Sequence, residues 1–357
     1  MNPGRQRADA RRRVDGRMKA NATAQDVARL AKVSQSAVSR TFTPGASVSE
    51  ETRQRVTAAA VKLGYRPNAM ARTLITGRSR IVALVMSYLE NQFYPLVIEK
   101  LSQQLRQHGY HLLMFISGQD EPDAVLAEIL QYQVDAIVMA STTLSPDLAR
   151  SCAASGVPVV LFNRVPDVRA RAHRTASTVT SDNYRGGRLA GELLAARGHK
   201  RIAFLAGLEN SSTSIERERG FNDALADAGL KPCARAVGGY QFAGAQQATR
   251  QLFARTRGRP DAVFIANDHM AIAALDVLRI ELQLRVPEDV SVIGFDDVPQ
   301  SAWGAYSLTT VVQSVPEMVD ATVGLLLQQF QEKSAPRDVV IPCRLVERQS
   351  VRPARCR

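Results

Sequence analysis

The chain has 357 residues, of which 45% are hydrophobic and 22% charged, enough for two or three domains with a large buried core. The net charge of +12 sits at one end: residues 1–80 hold 17 Lys and Arg against 5 Asp and Glu, while residues 81–357 hold 29 of each sign. A basic segment on a neutral body is the electrostatic footprint of a nucleic-acid binder, whereas a membrane-surface protein would call for a long basic amphipathic helix, which is missing from the sequence. No stretch is long enough to span a bilayer, and the Arg-rich N-terminus lacks the apolar run of a secretory signal. Cys152, Cys233, Cys343 and Cys356 have no metal-ligand spacing and read as buried, reduced thiols. The expected compartment is the cytoplasm, on the nucleoid, and no cofactor or metal is expected.

Residues 1–20 are basic and nearly devoid of large apolar side chains, so a disordered tail is expected there. Two short helices with a tight turn follow in TAQDVARLAKVSQSAVSR, residues 23–40. Thr23 is a good N-cap, and Asp26 three residues on completes a capping-box pattern. Val27, Leu30 and Ala31 share the spacing of one helical face. Lys32 and Val33 form the turn, and Ser34 caps the second helix. In that helix Ala37 and Val38 point inward, while Gln35, Ser36 and Arg40 point outward, Ser36 and Arg40 one turn apart. This is a helix-turn-helix pattern, whose second helix enters the major groove of DNA. Pro44 and Gly45 mark a loop. Ser49 caps a third helix, with Glu50 and Glu51 in its first turn, buried positions at Val56, Ala60 and Leu63, and a C-cap at Gly64. After Pro67, Asn68 opens a helix too short to stand alone in water, ending at Gly77.

From residue 80 onward the pattern changes. Apolar runs of strand length, at 81–86, 111–116, 135–140, 157–162, 201–207, 261–267 and 291–296, alternate with helical stretches, one of them at 184–197. Such alternation predicts an α/β body of parallel sheets flanked by helices on both faces, in two similar lobes. Ligands of open α/β sheets bind beyond the carboxyl ends of the strands. The polar residues at those ends are Asn91, Asn163, Asp182, Asn267, Asp268, Asp296 and Asp297. Converging on one cleft, several of them would make a site for a polyhydroxylated or otherwise polar small molecule.

Taken together, the chain from about Thr23 to Val351 resembles the LacI/GalR family of bacterial transcription regulators. The residues that carry the resemblance are TAQDVARLAKVSQSAVSR, VSEETRQRVTAAAVKLGYRPN, ARTLITG, and in the body DN-Y-GG at 182–187, ERERGF at 216–221, IANDHMAIAAL at 265–275 and VSVIGFDD at 290–297. The resemblance implies a helix-turn-helix headpiece at 21–67, a hinge helix at 68–79, and a two-lobed, periplasmic-binding-protein-like core at 80–350. It places the N-lobe at about 80–163 and 314–336 and the C-lobe at about 164–313 and 337–350. It also implies a homodimer on a pseudo-palindromic DNA operator, with a small effector, a sugar or sugar acid, bound between the lobes. Gln35 and Ser36 are expected to read base edges and Arg40 a guanine or a phosphate. Leu74 is expected to wedge into the central minor groove with Ala71 beside it. Thr23, Ser34, Ser39, Tyr65 and Asn68 complete the expected DNA-facing set. In the cleft, Arg217 is expected to grip hydroxyls or a carboxylate, Asn163, Asn267 and Asp296 to hydrogen-bond the ligand, Phe93 to line the pocket floor, and Tyr240 or Phe242 to supply a stacking aromatic wall. Thr43 departs from the family, which commonly has Asn there, and no leucine-heptad extension follows Val351, so a dimer is expected over a tetramer.

Four other readings compete. A structural nucleoid protein would need no two-lobed body with a polar cleft and would show no operator preference. A purine- or other metabolite-responsive regulator would share this architecture. A solute-binding protein fits the body alone, but neither the basic headpiece nor the missing signal peptide. An enzyme is disfavoured: His108, His111, His173, His199 and His269 show no metal spacing, and the sequence has no G-x-S-x-G motif.

Overall fold

The computed structural model describes residues 22–43, 45–66, 77–87, 89–116, 122–140, 152, 154–165, 176–332 and 334–353. The expected tail over residues 1–20 and the hinge residues Asn68, Ala71 and Leu74 lie outside them. The chain divides into two compact units, Met1–Gly77 and Arg78–Arg357.

The first unit is built on α1 (Ala24–Ala31), α2 (Gln35–Thr41) and α3 (Glu50–Leu63). The capping box forms as the sequence predicts: the Asp26 amide donates to Thr23 Oγ1 at 3.3 Å, and Asp26 Oδ2 accepts from the Thr23 amide at 3.0 Å. Ser34 Oγ accepts from the Ala37 amide at 3.2 Å and Ser49 Oγ from the Thr52 amide at 3.3 Å. Val27, Ala28, Ala31, Val38, Val56, Ala59 and Ala60 form the core. The Arg55 guanidinium ties the third helix to the first by donating to the carbonyls of Ala31 (3.1 Å) and Lys32 (3.0 Å). Leu30 and Leu63, expected inward, are 42% and 37% exposed. The helices meet on small side chains, so Ala28 takes the inward place assigned to Leu30, and Leu63 lies at the helix end, past the core.

The second unit carries two six-stranded sheets. The first has strands β1 (Ile81–Met86), β2 (His111–Ile116), β3 (Ala136–Ala140), β4 (Val159–Phe162), β5 (Ser177–Ser181) and β11 (Asp338–Ile341), in the order β11-β5-β4-β3-β1-β2. The second has β6 (Ile202–Ala206), β7 (Ala234–Val237), β8 (Ala262–Ile265), β9 (Ser291–Asp296), β10 (Thr309–Val312) and β12 (Arg344–Val346), in the order β12-β10-β9-β8-β6-β7. Every pairing is parallel except β10 with β12. Helices α4 (Phe93–Gln107), α5 (Pro122–Gln131) and α10 (Val315–Glu332) belong to the first lobe; α6 (Asn183–Ala196), α7 (Ser212–Asp227), α8 (Phe242–Phe253) and α9 (Asp268–Asp276) belong to the second.

The lobe boundaries differ from those expected. Strands β5 and β11 pair within the first sheet, so the chain leaves that lobe after Ser181 and again after Ile341. The reason is chemical. The β5 sequence STVTS looks polar, yet all five residues are buried. Three of its hydroxyls find partners far along the chain: Thr178 Oγ1 donates to Asp338 Oδ1 at 2.8 Å, Ser177 Oγ accepts from the Arg337 amide at 3.2 Å, and Ser181 Oγ donates to Gln313 Oε1 at 2.8 Å. A strand buried on hydrogen-bonded hydroxyls carries no apolar run to find.

Close packing of α6 on α7 sets the geometry of the cleft. A Cβ at Gly187 would lie 2.0 Å from the Arg217 carbonyl oxygen, and one at Gly220 would lie 1.9 Å from that of Tyr184. The two backbones therefore touch, and only glycine fits at both crossings. The DN-Y-GG and ERERGF motifs are this contact. It fixes the height of Arg217 over the second sheet.

Candidate functional site

The carboxyl ends of the strands converge on one cavity between the lobes. Its walls are Asn91, Phe93 and Tyr94 after β1, Asn163 and Arg164 after β4, Thr213 and Arg217 on α7, Tyr240 after β7, Asn267 after β8, Asp296 at the end of β9 and Gln313 after β10. The open volume is about 10 Å³, room for about one water.

Arg217 and Asp296 are the centre of it. Both side chains are 2% exposed, with Arg217 Nη1 3.6 Å from Asp296 Oδ1. The guanidinium also donates from Nε to Asn183 Oδ1 at 2.8 Å and from Nη1 to the Ala266 carbonyl at 2.5 Å, and its carbon lies 3.6 Å from the centre of the Phe295 ring. Asp296 Oδ1 accepts from Gln313 Nε2 at 2.6 Å, and Oδ2 from Asn91 Nδ2 at 3.3 Å. Burial outweighs the pull of Arg217 and pushes the Asp296 carboxyl up to about 6. Desolvating two ions costs several kcal/mol each, and apolar replacements of buried pairs are often neutral or stabilising. Stability alone does not explain a buried pair placed here.

Two further observations point to a binding site. Asn163 Oδ1 and Asn267 Nδ2 have no hydrogen-bond partner among the described residues, though their residues are 4% and 1% exposed. Asn267 spends its oxygen on the Met270 amide at 3.0 Å, capping α9, which leaves the amide nitrogen unmatched. Buried polar atoms are nearly always paired, so two orphans lining one cavity, one from each lobe, mark a place for a polar guest. Backbone strain gathers at the same spot. Asn163, Tyr240 and Asp296 have φ of 56°, 61° and 121°. For a residue with a side chain, the last value is a conformation kept only where the surroundings enforce it.

Tyr240 is held flat. Its ring covers Gly207, where a Cβ would come within 2.2 Å of it, and its hydroxyl lies 3.1 Å from Thr213 Oγ1. Phe242, expected as an alternative aromatic wall, does not line the cavity. It is partly buried against both apolar cores, its ring 5.7 Å from that of His269. Of the other strand-end residues, Asp182 caps α6 and Asp297 pairs with Arg348 at 2.7 Å. Asp268 accepts from the Val298 amide, Ser301 and Thr310 at 3.0, 2.7 and 2.6 Å, and burial pushes it up to about 7. These three hold structure together. Asn91, collected as a strand-end residue, does line the cavity; sequence reasoning gave no cavity role to Tyr94, Arg164, Thr213 or Gln313. The spacing Thr213 to Arg217, one helical turn, was the available signal for Thr213. Gln313 follows a strand that the apolar pattern did not reveal.

In the first unit, Ser34, Gln35, Ser36, Ser39 and Arg40 are exposed along α2, and Thr23 is exposed at the start of α1. Ser34 and Ser36 are linked Oγ to Oγ at 2.9 Å. Tyr65 is half-buried, its ring 5.9 Å from that of Phe42.

Residues 23–68 match the pattern described as bacterial regulatory proteins, lacI family, and residues 191–351 match a periplasmic binding protein-like domain. The chain is 31% identical over 340 residues to the HTH-type transcriptional repressor PurR of Mannheimia succiniciproducens, covering 93% of this chain and 99% of the relative. The chain belongs to the lacI family of bacterial regulatory proteins. PurR of Escherichia coli O139:H28 is 32% identical over 336 residues, covering 92% of this chain and 97% of its own. The lac repressor bound to ONPG superposes with a TM-score of 0.81 at 28% identity, covering 93% of this chain and 100% of that one. The CelR–cellobiose complex does so with a TM-score of 0.69 at 30% identity, covering 92% and 99%. Among the described residues, no helix of this lacI-family chain is long and apolar enough to cross a membrane.

Proposed function

We propose that this protein is a transcriptional repressor that grips a pseudo-palindromic operator as a homodimer and releases or tightens that grip when a small polyhydroxylated effector binds between its lobes. A sugar or sugar acid is the effector class. The observation that carries this is the Arg217–Asp296 pair set among the orphan amide atoms of Asn163 and Asn267. Relatives support it: the lac repressor dimer binds operator and the anti-inducer ONPF, and CelR binds cellobiose. A cavity of about 10 Å³ admits a sugar only if the lobes part. An effector therefore acts through unequal affinity for parted and closed lobes.

On the DNA side, Gln35, Ser36 and Arg40 give specificity, and the basic residues of the first unit give salt-dependent affinity. Arg40→Ala is expected to weaken operator binding by roughly 10-fold or more and to relax preference at one base pair. Equal base preference in the variant, measured by selection from a random pool, would sink that role. A thermal-shift screen against sugars, sugar acids and nucleobases tests the effector class, since a ligand of the folded state raises the melting temperature. Hits confined to nucleobases would move the assignment to a purine, for which the flat Tyr240 ring offers a stacking face.

A further inference from the structure

Asn91 belongs to the opposite lobe from the carboxylate it touches. It lies just before α4 in the first lobe, whereas Asp296 ends β9 in the second. Both ends of its side chain are committed. Oδ1 accepts from the Phe93 amide at 3.0 Å, which fixes the orientation of the group. The nitrogen then faces Asp296 Oδ2 at 3.3 Å. The other Asp296 oxygen is taken by Gln313 on the crossover, whose own Oε1 accepts from Ser181 Oγ at 2.8 Å.

We propose that Asn91 is a latch and a specificity-determining residue: its amide closes the lobes on Asp296, and an effector opens them by placing a hydroxyl between the two. This rests on the cavity being the effector site. Parting the bond leaves an amide that needs an acceptor and a carboxylate that needs a donor. A hydroxyl is both at once. A carbonyl oxygen answers the amide and offers nothing to the carboxylate, and a ring N–H does the reverse. A buried group left unmatched loses more than a single bond contributes. The orphan acceptor Asn163 Oδ1 needs a donor and the orphan donor Asn267 Nδ2 needs an acceptor, and a hydroxyl can serve as either. A polyol satisfies all four atoms, whereas each edge atom of a purine has one fixed role. The effector class that follows is a polyhydroxylated molecule.

The cleft has a reporter remote from Asn91. The Val165 amide of the first lobe donates to Ser212 Oγ of the second at 3.1 Å. Charged and titratable groups facing Asp296 are Arg217 on α7, Arg164 after β4, Asp268 on α9, Tyr94 on α4 and Cys343 between β11 and β12. All of them are unchanged in the variants below.

Hydrogen exchange of the full chain tests the latch without any ligand. Asn91→Asp keeps the acceptor for the Phe93 amide and sets a second carboxylate against Asp296. Exchange in the peptide containing Val165 is expected to run about tenfold faster than in wild type at pH 8, the scale of one lost bond to a charged group. At pH 5, where the two carboxyls share a proton, it is expected to fall back toward the wild-type rate. Asn91→Ala is expected to exchange faster at both pH values, without that recovery. Wild-type exchange in both variants would overturn the latch and leave the regulator reading standing. Selection of a hydroxyl has its own test: hypoxanthine binding wild type and Asn91→Ala equally tightly would overturn it.

Discussion

At the scale of the residue, the chemistry of this protein turns on a few buried charges. Arg217 touches Asn183, Ala266, Phe295 and Asp296, so it supports the second lobe as well as facing the cavity. Arg217→Ala is expected to abolish the effector response and to lower stability by about 3–5 kcal/mol at pH 8, the range for breaking a buried pair. The loss should shrink as the pH falls. Asp296 has a folded-state value raised to about 6 from 3.8, so folding takes up a proton between those values and ionisation above them weighs against the fold. Without Arg217 that penalty grows, and it vanishes once the carboxyl is protonated. Urea denaturation of both proteins at pH 8 and pH 5 checks this, and an equal difference at the two pH values would contradict it. The residue scale was also partly legible in the sequence. Asn267 and Asp296 were found because they sit in motifs at strand ends, and Arg217 because it sits in the helical ERERGF motif that carries the family resemblance. Gln313 was missed because its position depends on how the strands are ordered in space, which no local spacing encodes, and Arg164 was passed over although it directly follows Asn163.

At the scale of the element, the glycines of α6 and α7 decide how close two helices come. Gly220→Ala drives a methyl against the Tyr184 carbonyl and is expected to destabilise the second lobe by roughly 3 kcal/mol. Gly324→Ala, on α10 with nothing within 4 Å of the added Cβ, is expected to stabilise by up to about 1 kcal/mol through helix propensity. Chemical denaturation of the pair separates contact from propensity: destabilisation of the same size in both would show that the helix contact is not special. Helix ends were easy to read in the sequence, because Thr23, Ser34, Ser49 and Gly64 cap by local hydrogen bonds or local backbone freedom. Strands β5 and β11 were not, and the lobe boundaries moved with them. Tertiary hydrogen bonds bury the hydroxyls of β5, and β11 is an edge strand with one residue of four buried.

At the scale of the whole molecule, charge and architecture agree. The positive excess lies in the segment that carries the helix-turn-helix, and the neutral body carries the polar cavity. Uneven charge gives operator affinity a steep salt dependence that effector affinity does not share. The central claim is sequence-specific operator binding, and one titration tests it most directly. A duplex selected from a random pool and a scrambled duplex of the same length would be compared by fluorescence anisotropy at fixed salt. Roughly a thousandfold or greater preference for the selected duplex, with a two-fold symmetric consensus, is the result expected of a specific dimeric reader. Equal affinity for both duplexes, with the same salt slope, would contradict the account.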